Sequence, residues 1–173
     1  MSEVYFISDT HFSHRGIISF PATKPFRPFE TIEEHDEELV KRWNATVNPK
    51  DIVFHLGDFC FGKRNIEIAG RLNGSKRLVM GNHDMYGAEE YLKYFDRIFG
   101  CVEYKGMVLS HVPLHTGQLE RWYMNVHGHL HTNFVLRDDG TRDNRYFNAS
   151  CENINLTPIP LDEIHNYWAE NRG

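Results

Sequence analysis

Residues 77–84 read Arg77-Leu78-Val79-Met80-Gly81-Asn82-His83-Asp84, an apolar run that stops at a turn-forming pair and passes into polar side chains. A run this short, closed by Gly-Asn, predicts a buried strand that delivers a polar loop. The same punctuation recurs upstream. Val4-Tyr5-Phe6-Ile7 ends at Ser8-Asp9-Thr10-His11, and Asp51-Ile52-Val53-Phe54-His55-Leu56 ends at Gly57-Asp58. Helical patterns stand between these runs. Thr31 and Glu34 have the spacing of a capping box, and Ile32, Leu39, Val40, Trp43 and Val47 keep a helical period to about residue 47. Further helices are expected over residues 64–72 and 88–95, whereas residues 13–30, with Pro21, Pro25 and Pro28, read as irregular loop.

Beyond Gly100 the pattern becomes mainly strand, over residues 102–104, 107–109, 124–126, 133–136 and 146–149, before a closing helix over 161–170. A βαβαβα half followed by a β-rich half predicts an α/β layered fold, with mixed sheets flanked by helices. The 173 residues are the size of one domain, and no separate cap domain fits in the 42 that follow His131.

Composition narrows the function classes. With 40% hydrophobic and 25% charged residues the chain is an ordinary globule, and no apolar run approaches a bilayer's thickness. The N-terminal Met1-Ser2-Glu3-Val4-Tyr5 lacks the features of a signal peptide. Cys60, Cys101 and Cys151 are odd in number and far apart, which argues against a disulfide framework and fits a reducing cytoplasm. A net charge of −5 argues against a large nucleic-acid footprint, although bound cations could supply a local positive field.

The informative excess is histidine, 11 residues, mostly in the company of Asp, Asn and Gly. Five polar clusters fall at strand ends, where open α/β sheets place ligands: Asp9-Thr10-His11, Gly57-Asp58, Gly81-Asn82-His83-Asp84, Ser110-His111 and Gly128-His129-Leu130-His131. Asp9 and His11 are two apart, as are His129 and His131, so each pair can face one side of an extended segment. Mixed oxygen and imidazole donors suit Mn²⁺, Fe, Zn²⁺ or Ni²⁺ rather than Mg²⁺ or Ca²⁺.

In this order the clusters resemble the D-x-H, GD, GNHD/E, H and GHxH pattern of the calcineurin-like metallophosphoesterases, and the resemblance runs from Asp9 to His131. The opening Asp9-Thr10-His11-Phe12-Ser13-His14, the Pro-rich loop and the acidic helix look like the short bacterial and phage members. The resemblance implies two divalent transition-metal ions, with Mn²⁺ expected first. Asp9, His11 and His131 would hold one ion, Asn82, His111 and His129 the other, and Asp58 would bridge them. Cations roughly 3.5–4 Å apart repel, and a shared carboxylate offsets that. It further implies a small phosphate-ester substrate, attacked by a hydroxide generated between the metals, with His83 as general acid. His14, Arg15 and Asn82 are expected to contact substrate, and Asp84 to orient an imidazole.

Of the remaining histidines, His127 and His55 read as structural neighbours of the site, His35 as part of a solvated helix face with Glu33, Glu34, Asp36 and Glu37, His165 as exposed, and His115 as a weaker candidate for substrate contact. Near the motifs the obvious cations are Arg15, Lys63, Arg64 and Arg145, too few for a monoester dianion, so a phosphodiester is the expected substrate. The rival readings are a monoesterase or nuclease of the same fold, or a scaffold that has lost catalysis. A scaffold would lack ligands or the general acid, and here the set is complete.

Overall fold

The computed structural model describes residues 2–62 and 65–172. In chain order these form β1 (Val4–Ile7), α1 (Ile32–Thr46), β2 (Ile52–His55), β3 (Ser75–Val79), α2 (Ala88–Tyr91), β4 (Arg97–Phe99), β5 (Cys101–Tyr104), β6 (Met107–Ser110), β7 (Met124–His127), β8 (Tyr146–Asn148), β9 (Ile159–Pro160) and α3 (Leu161–Asn171). One sheet has the order β4-β3-β2-β1-β9, parallel except for β9; the other has the order β5-β6-β7-β8, parallel except for the β5–β6 hairpin.

The β-branched and aromatic runs are buried because they lie inside a layered core. Phe6 and Phe54, register partners on β1 and β2, stack at 5.6 Å, and Tyr104 of the second sheet packs on Phe54 at 4.9 Å. The two sheets therefore face each other through an aromatic layer, worth roughly 1.5–3 kcal/mol per fully buried large side chain. Helix α1 starts at the expected capping box: the Thr31 hydroxyl accepts from the Glu34 N–H, and the Glu34 carboxylate accepts from the Thr31 N–H. Its buried face carries Ile32, His35, Asp36, Leu39, Val40 and Trp43. His35 is fully buried, not solvated; a polar neighbourhood along the helix hid the fact that it falls on the apolar stripe. Helix α3 packs back onto the second sheet through Tyr167 on Phe147 and Trp168 on Tyr123.

Several expected elements change. Residues Asn65–Arg71 form a 3₁₀ helix, and Arg64 lies outside the described residues. Helix α2 stops at Tyr91 because the chain must turn at once to lay β4 beside β3, with the Asp96 N–H on the Lys76 carbonyl at 2.8 Å. The stretch 133–136 forms no strand and keeps a single bridge, Leu136 to Arg142. Strands β4 and β9 were not anticipated; they are three and two residues long, too short to show a period.

The two sheets meet just beyond the ends of β1 and β8. The Ser8 N–H donates to the Ala149 carbonyl at 2.8 Å, and the Cys151 N–H to the Ser8 carbonyl at 3.1 Å. This junction gathers the loops that follow β1, β2, β3, β6 and β7 on one side of the molecule.

Candidate metal centre

The five sequence clusters come together at that junction as two groups of ligating atoms. Asp9, His11 and His131 form one, and Asp58, His111 and His129 the other. In the first, His11 Nε2 lies 3.7 Å and His131 Nε2 3.9 Å from Asp9 Oδ1. In the second, His111 Nε2 lies 3.4 Å from Asp58 Oδ2, and Asn82 Oδ1 is 2.9 Å from both His111 Nε2 and His129 Nδ1. Ligands at bond lengths of about 2.1 Å sit about 3.0 Å apart around an octahedral ion and about 3.4 Å apart around a tetrahedral one. The second group's spacings, 2.9–3.4 Å, are those of donors converging on an ion, and the first group's, 3.7 and 3.9 Å, are a few tenths of an ångström wider. Asp58 Oδ2 is also 3.7 Å from His11 Nε2, so one carboxylate oxygen faces both groups.

Buried polar atoms test whether these residues fit metals. Asp9 Oδ1 and both ring nitrogens of His11 are buried without a hydrogen-bond partner. An unpaired buried polar group costs about 1–3 kcal/mol, and a cation between Asp9 Oδ1 and His11 Nε2 would satisfy both atoms. Each carboxylate is also half-committed. Asp9 Oδ2 accepts from the His129 N–H and the Ser150 hydroxyl, both at 2.9 Å, and Asp58 Oδ1 accepts from the His83 N–H at 2.8 Å. The second oxygen of each is left for metal. Burial would raise the Asp9 carboxyl, yet the imidazoles of His11, His111 and His131 outweigh it and hold the group far below the usual carboxylate range.

The backbone reaches this arrangement through left-handed kinks, not the extended segments expected from the D-x-H and H-x-H spacing. Asp9, His11, Asp58, His129 and His131 all have positive φ, between 49° and 68°. Asp and His tolerate this region better than most residues. The glycines before the ligands permit close crossing of loops: a Cβ on Gly81 would collide with the Asp58 amide and carboxylate, and one on Gly128 with Ser8 Oγ and Asp9 Oδ2.

A family model of the calcineurin-like phosphoesterases matches residues 2–172. The chain belongs to this family. The phosphoesterase is 36% identical over 173 residues to an uncharacterized protein of Methanocaldococcus jannaschii, covering 95% of this chain and 90% of the relative. It is 30% identical over 160 residues to the Gene 66 protein of Mycobacterium phage L5, covering 81% and 74%. Among solved structures, a protein of unknown function from Aquifex aeolicus superposes with a TM-score of 0.73 at 30% identity, covering 96% of this chain and 99% of that one. The phage and bacterial relatives fit the short, bacterial- and phage-type subgroup. This is a metal-dependent hydrolase of phosphoester bonds, with a dinuclear divalent-metal site.

Around the ligands of the phosphoesterase stands a set of anchors that sequence reasoning partly misassigned. Among the described residues Asp84 makes no hydrogen bond to an imidazole. Its buried carboxylate instead accepts from the backbone N–H groups of Asp58, Phe59 and Gly81 at 2.8–2.9 Å, locking the loops after β2 and β3 together. His111 Nδ1 bonds the Leu56 carbonyl at 2.8 Å, which fixes the N–H there and frees Nε2. His127 is buried, with Nδ1 on the Gly128 carbonyl at 2.8 Å, and burial pushes its pKa down to about 4. His55 is likewise a buried neighbour, bonded to the Thr10 hydroxyl at 2.9 Å. Arg27 and Glu152 were missed. Both are buried behind the first group, and their 125-residue separation leaves no local signal.

The side chain of His83 is exposed, its ring 5.8 Å from that of His11 and 4.9 Å from Phe61. His14 stacks on the other neighbour of this group, Phe61, at 4.0 Å, and lies 5.3 Å from the His11 ring. Arg15, next to His14 in the chain, is exposed and lines a surface groove with Lys24, Pro28, Glu30 and Glu33. Lys63 and Arg64 lie outside the described residues. Arg145 is engaged by Asp143 at 2.6 Å.

Proposed function

We propose that this enzyme hydrolyses phosphodiesters or cyclic phosphates in preference to monoesters, with Mn²⁺ as the working metal and His83 as the general acid. The observation that carries the reading is Asp58 Oδ2, poised 3.7 Å from His11 Nε2 and 3.4 Å from His111 Nε2, the place of a bridging ligand. When bound, two such ions supply an activated water and a positive clamp on phosphoryl oxygens. The chain's own contributions are separable. Asp9, His11, Asp58, Asn82, His111, His129 and His131 bind the ions. The Asp58 carboxylate is aimed by the His83 N–H, which leaves the His83 imidazole free to give a proton to the departing oxygen. His14, beside His11 on Phe61, is placed to contact a substrate oxygen or substituent.

Diester preference is supported by charge. Among the described residues the arginine hydrogen-bonded to a candidate ligand is Arg27, which is buried and grips the backbone carbonyl of Asp9. A monoester dianion calls for an added cationic fork, whereas a singly charged diester is matched by the metals alone. The substrate is a small phosphate ester, and a cytoplasmic setting accords with three free cysteines. No helix among the described residues is long and apolar enough to cross a membrane. Paired assays of bis-aryl and mono-aryl phosphates at saturating Mn²⁺ test the preference through kcat/KM. A monoester preference that collapses in Arg15→Ala would overturn it in favour of an arginine clamp.

A further inference from the structure

A single buried side chain ties the first ligand group together. Arg27 has no exposed surface, and four of its five N–H donors go to four partners. Nη2–H donates to the Asp9 carbonyl at 2.6 Å; Nη1–H donates to the Thr10 carbonyl at 3.1 Å and to His35 Nε2 at 2.8 Å; Nε–H donates to Glu152 Oε1 at 2.8 Å. The same Glu152 oxygen lies 3.1 Å from His131 Nδ1. A buried guanidinium and one carboxylate oxygen therefore connect the strained Asp9–His11 loop to His131, more than a hundred residues away. On the far side His35 Nδ1–H donates to Asp36 Oδ1 at 2.9 Å, and Asp36 Oδ2 accepts from the Ser13 N–H at 2.9 Å, so Arg27 is itself held by a satisfied network.

Among the described residues no carboxylate outside the ligand set stands behind an imidazole of the second group, whose loops are held instead by Asp84 through backbone N–H groups. His111 of that group is also fixed through Nδ1, but on the neutral Leu56 carbonyl. Each group has two buried members and one half-buried histidine, so burial alone does not separate them; the second group adds the exposed Asn82. A carboxylate behind a ligating imidazole fixes its tautomer and raises its donor strength more than a peptide carbonyl does. The orientation also matters, because Nδ1 on Glu152 leaves His131 Nε2 facing Asp9 Oδ1.

We infer that Glu152, held by Arg27, is a positioning residue that makes the Asp9–His11–His131 site the tighter of two unequal metal sites. This rests on the dinuclear reading above. The test is Mn²⁺ titration of the chelator-stripped protein, read by calorimetry and by the spin-resonance signal of free Mn²⁺, with no substrate present. The wild type should bind two ions with distinct affinities. Glu152→Gln keeps the shape and an acceptor oxygen but not the charge; it should weaken the tighter site 10–100-fold and leave the weaker one unchanged. Glu152→Asp, which restores the charge, should recover part of the loss. Removing one charge of a buried pair can unfold a protein, so the double variant Arg27→Met/Glu152→Gln, which strands no charge, should show the same selective loss. In His111→Ala, which cripples the second site, Glu152→Gln should still weaken what remains. Equal wild-type affinities, unchanged binding in Glu152→Gln, or a parallel loss at both sites would each overturn the inference. Fewer than two ions on the wild type would instead overturn the dinuclear reading beneath it.

Discussion

Asp84 offers a sharp test of how the loops are held. Its carboxylate, 7% exposed, accepts from the N–H groups of Asp58, Phe59 and Gly81 at 2.9, 2.9 and 2.8 Å, with the Tyr91 hydroxyl at 3.3 Å. Asp84→Ala strands three backbone donors, each costing about 1–3 kcal/mol when buried and unpaired. Water entering the vacated space would recover part of this, so a loss of roughly 3–5 kcal/mol is expected. For a chain of this length that is a fall of about 6–20 °C in Tm. Asp84→Asn should lose less, about 1–3 kcal/mol, because one oxygen still accepts while the new NH₂ confronts a backbone N–H. Urea unfolding of the metal-free protein separates this from metal binding: the midpoint should fall at constant slope. If both variants lie within about 1 kcal/mol of wild type, the two loops hold themselves and the anchoring role is wrong. A stable Asn variant with an altered pH–rate profile would return Asp84 to the imidazole-orienting role expected from sequence.

Other consequences are as direct. Chelation should abolish hydrolysis, and Mn²⁺ at a hundred times Kd should restore it while adding about 2.7 kcal/mol of stability per site, visible as a higher Tm; activity in a metal-free preparation would refute the mechanism. His83→Ala should keep both ions and lose about 10²–10⁴-fold in kcat, because only its backbone N–H touches Asp58; loss of metal instead would place the imidazole among the ligands. Asp58→Asn should weaken both sites at once, which two-site titration reads directly. Asp51 gives a pH prediction far from the metals. Its carboxylate accepts from the N–H groups of Glu3 and Asn48, and those bonds hold its pKa below the ordinary value. The stabilisation is therefore complete above the unfolded pKa and is lost as pH falls through the folded one. Asp51→Asn should cost about 1–2 kcal/mol at pH 7, with the gap closing below about pH 4; a pH-independent gap would deny the carboxylate its role.

How much of the fold could be read in advance depended on whether the deciding force was local. Strands β1, β2 and β6 announce themselves because burial on both faces demands unbroken apolar runs. Helix α1 was legible from its cap to its end, since Thr31 and Glu34 act within one turn. Strand β9 was not, because two residues ending in Pro160 become a strand only by lying beside Tyr5 and Phe6. The truncated α2 has the same cause: Ala88 to Phe95 carries helical periodicity, but pairing of β4 with β3 overrides it.

The site divides along the same line. Its candidate ligands stood out because D-x-H and H-x-H place scarce donors at fixed spacing, yet the backbone that brings them together could not be inferred from that spacing. Each of the five kinked ligands sits at positive φ, which costs a non-glycine residue about 1 kcal/mol or more. That strain persists only if the surroundings over-determine it. The groups that do so here are Asp84 under the Asp58 and Gly81 loops, and Arg27 with Glu152 under Asp9 and His131. Asp84 reaches Gly81 within its own loop but Asp58 across 26 residues, Arg27 reaches Asp9 across 18, and Glu152 reaches His131 across 21, each through backbone or a ring nitrogen that no motif records. Asp and His thus answer two requirements at these positions. They donate to metal, and they are among the side chains that least resist the left-handed turn by which the loop presents them. The donors were therefore readable as a pattern, whereas the machinery that keeps them in place became visible only once the chain was folded.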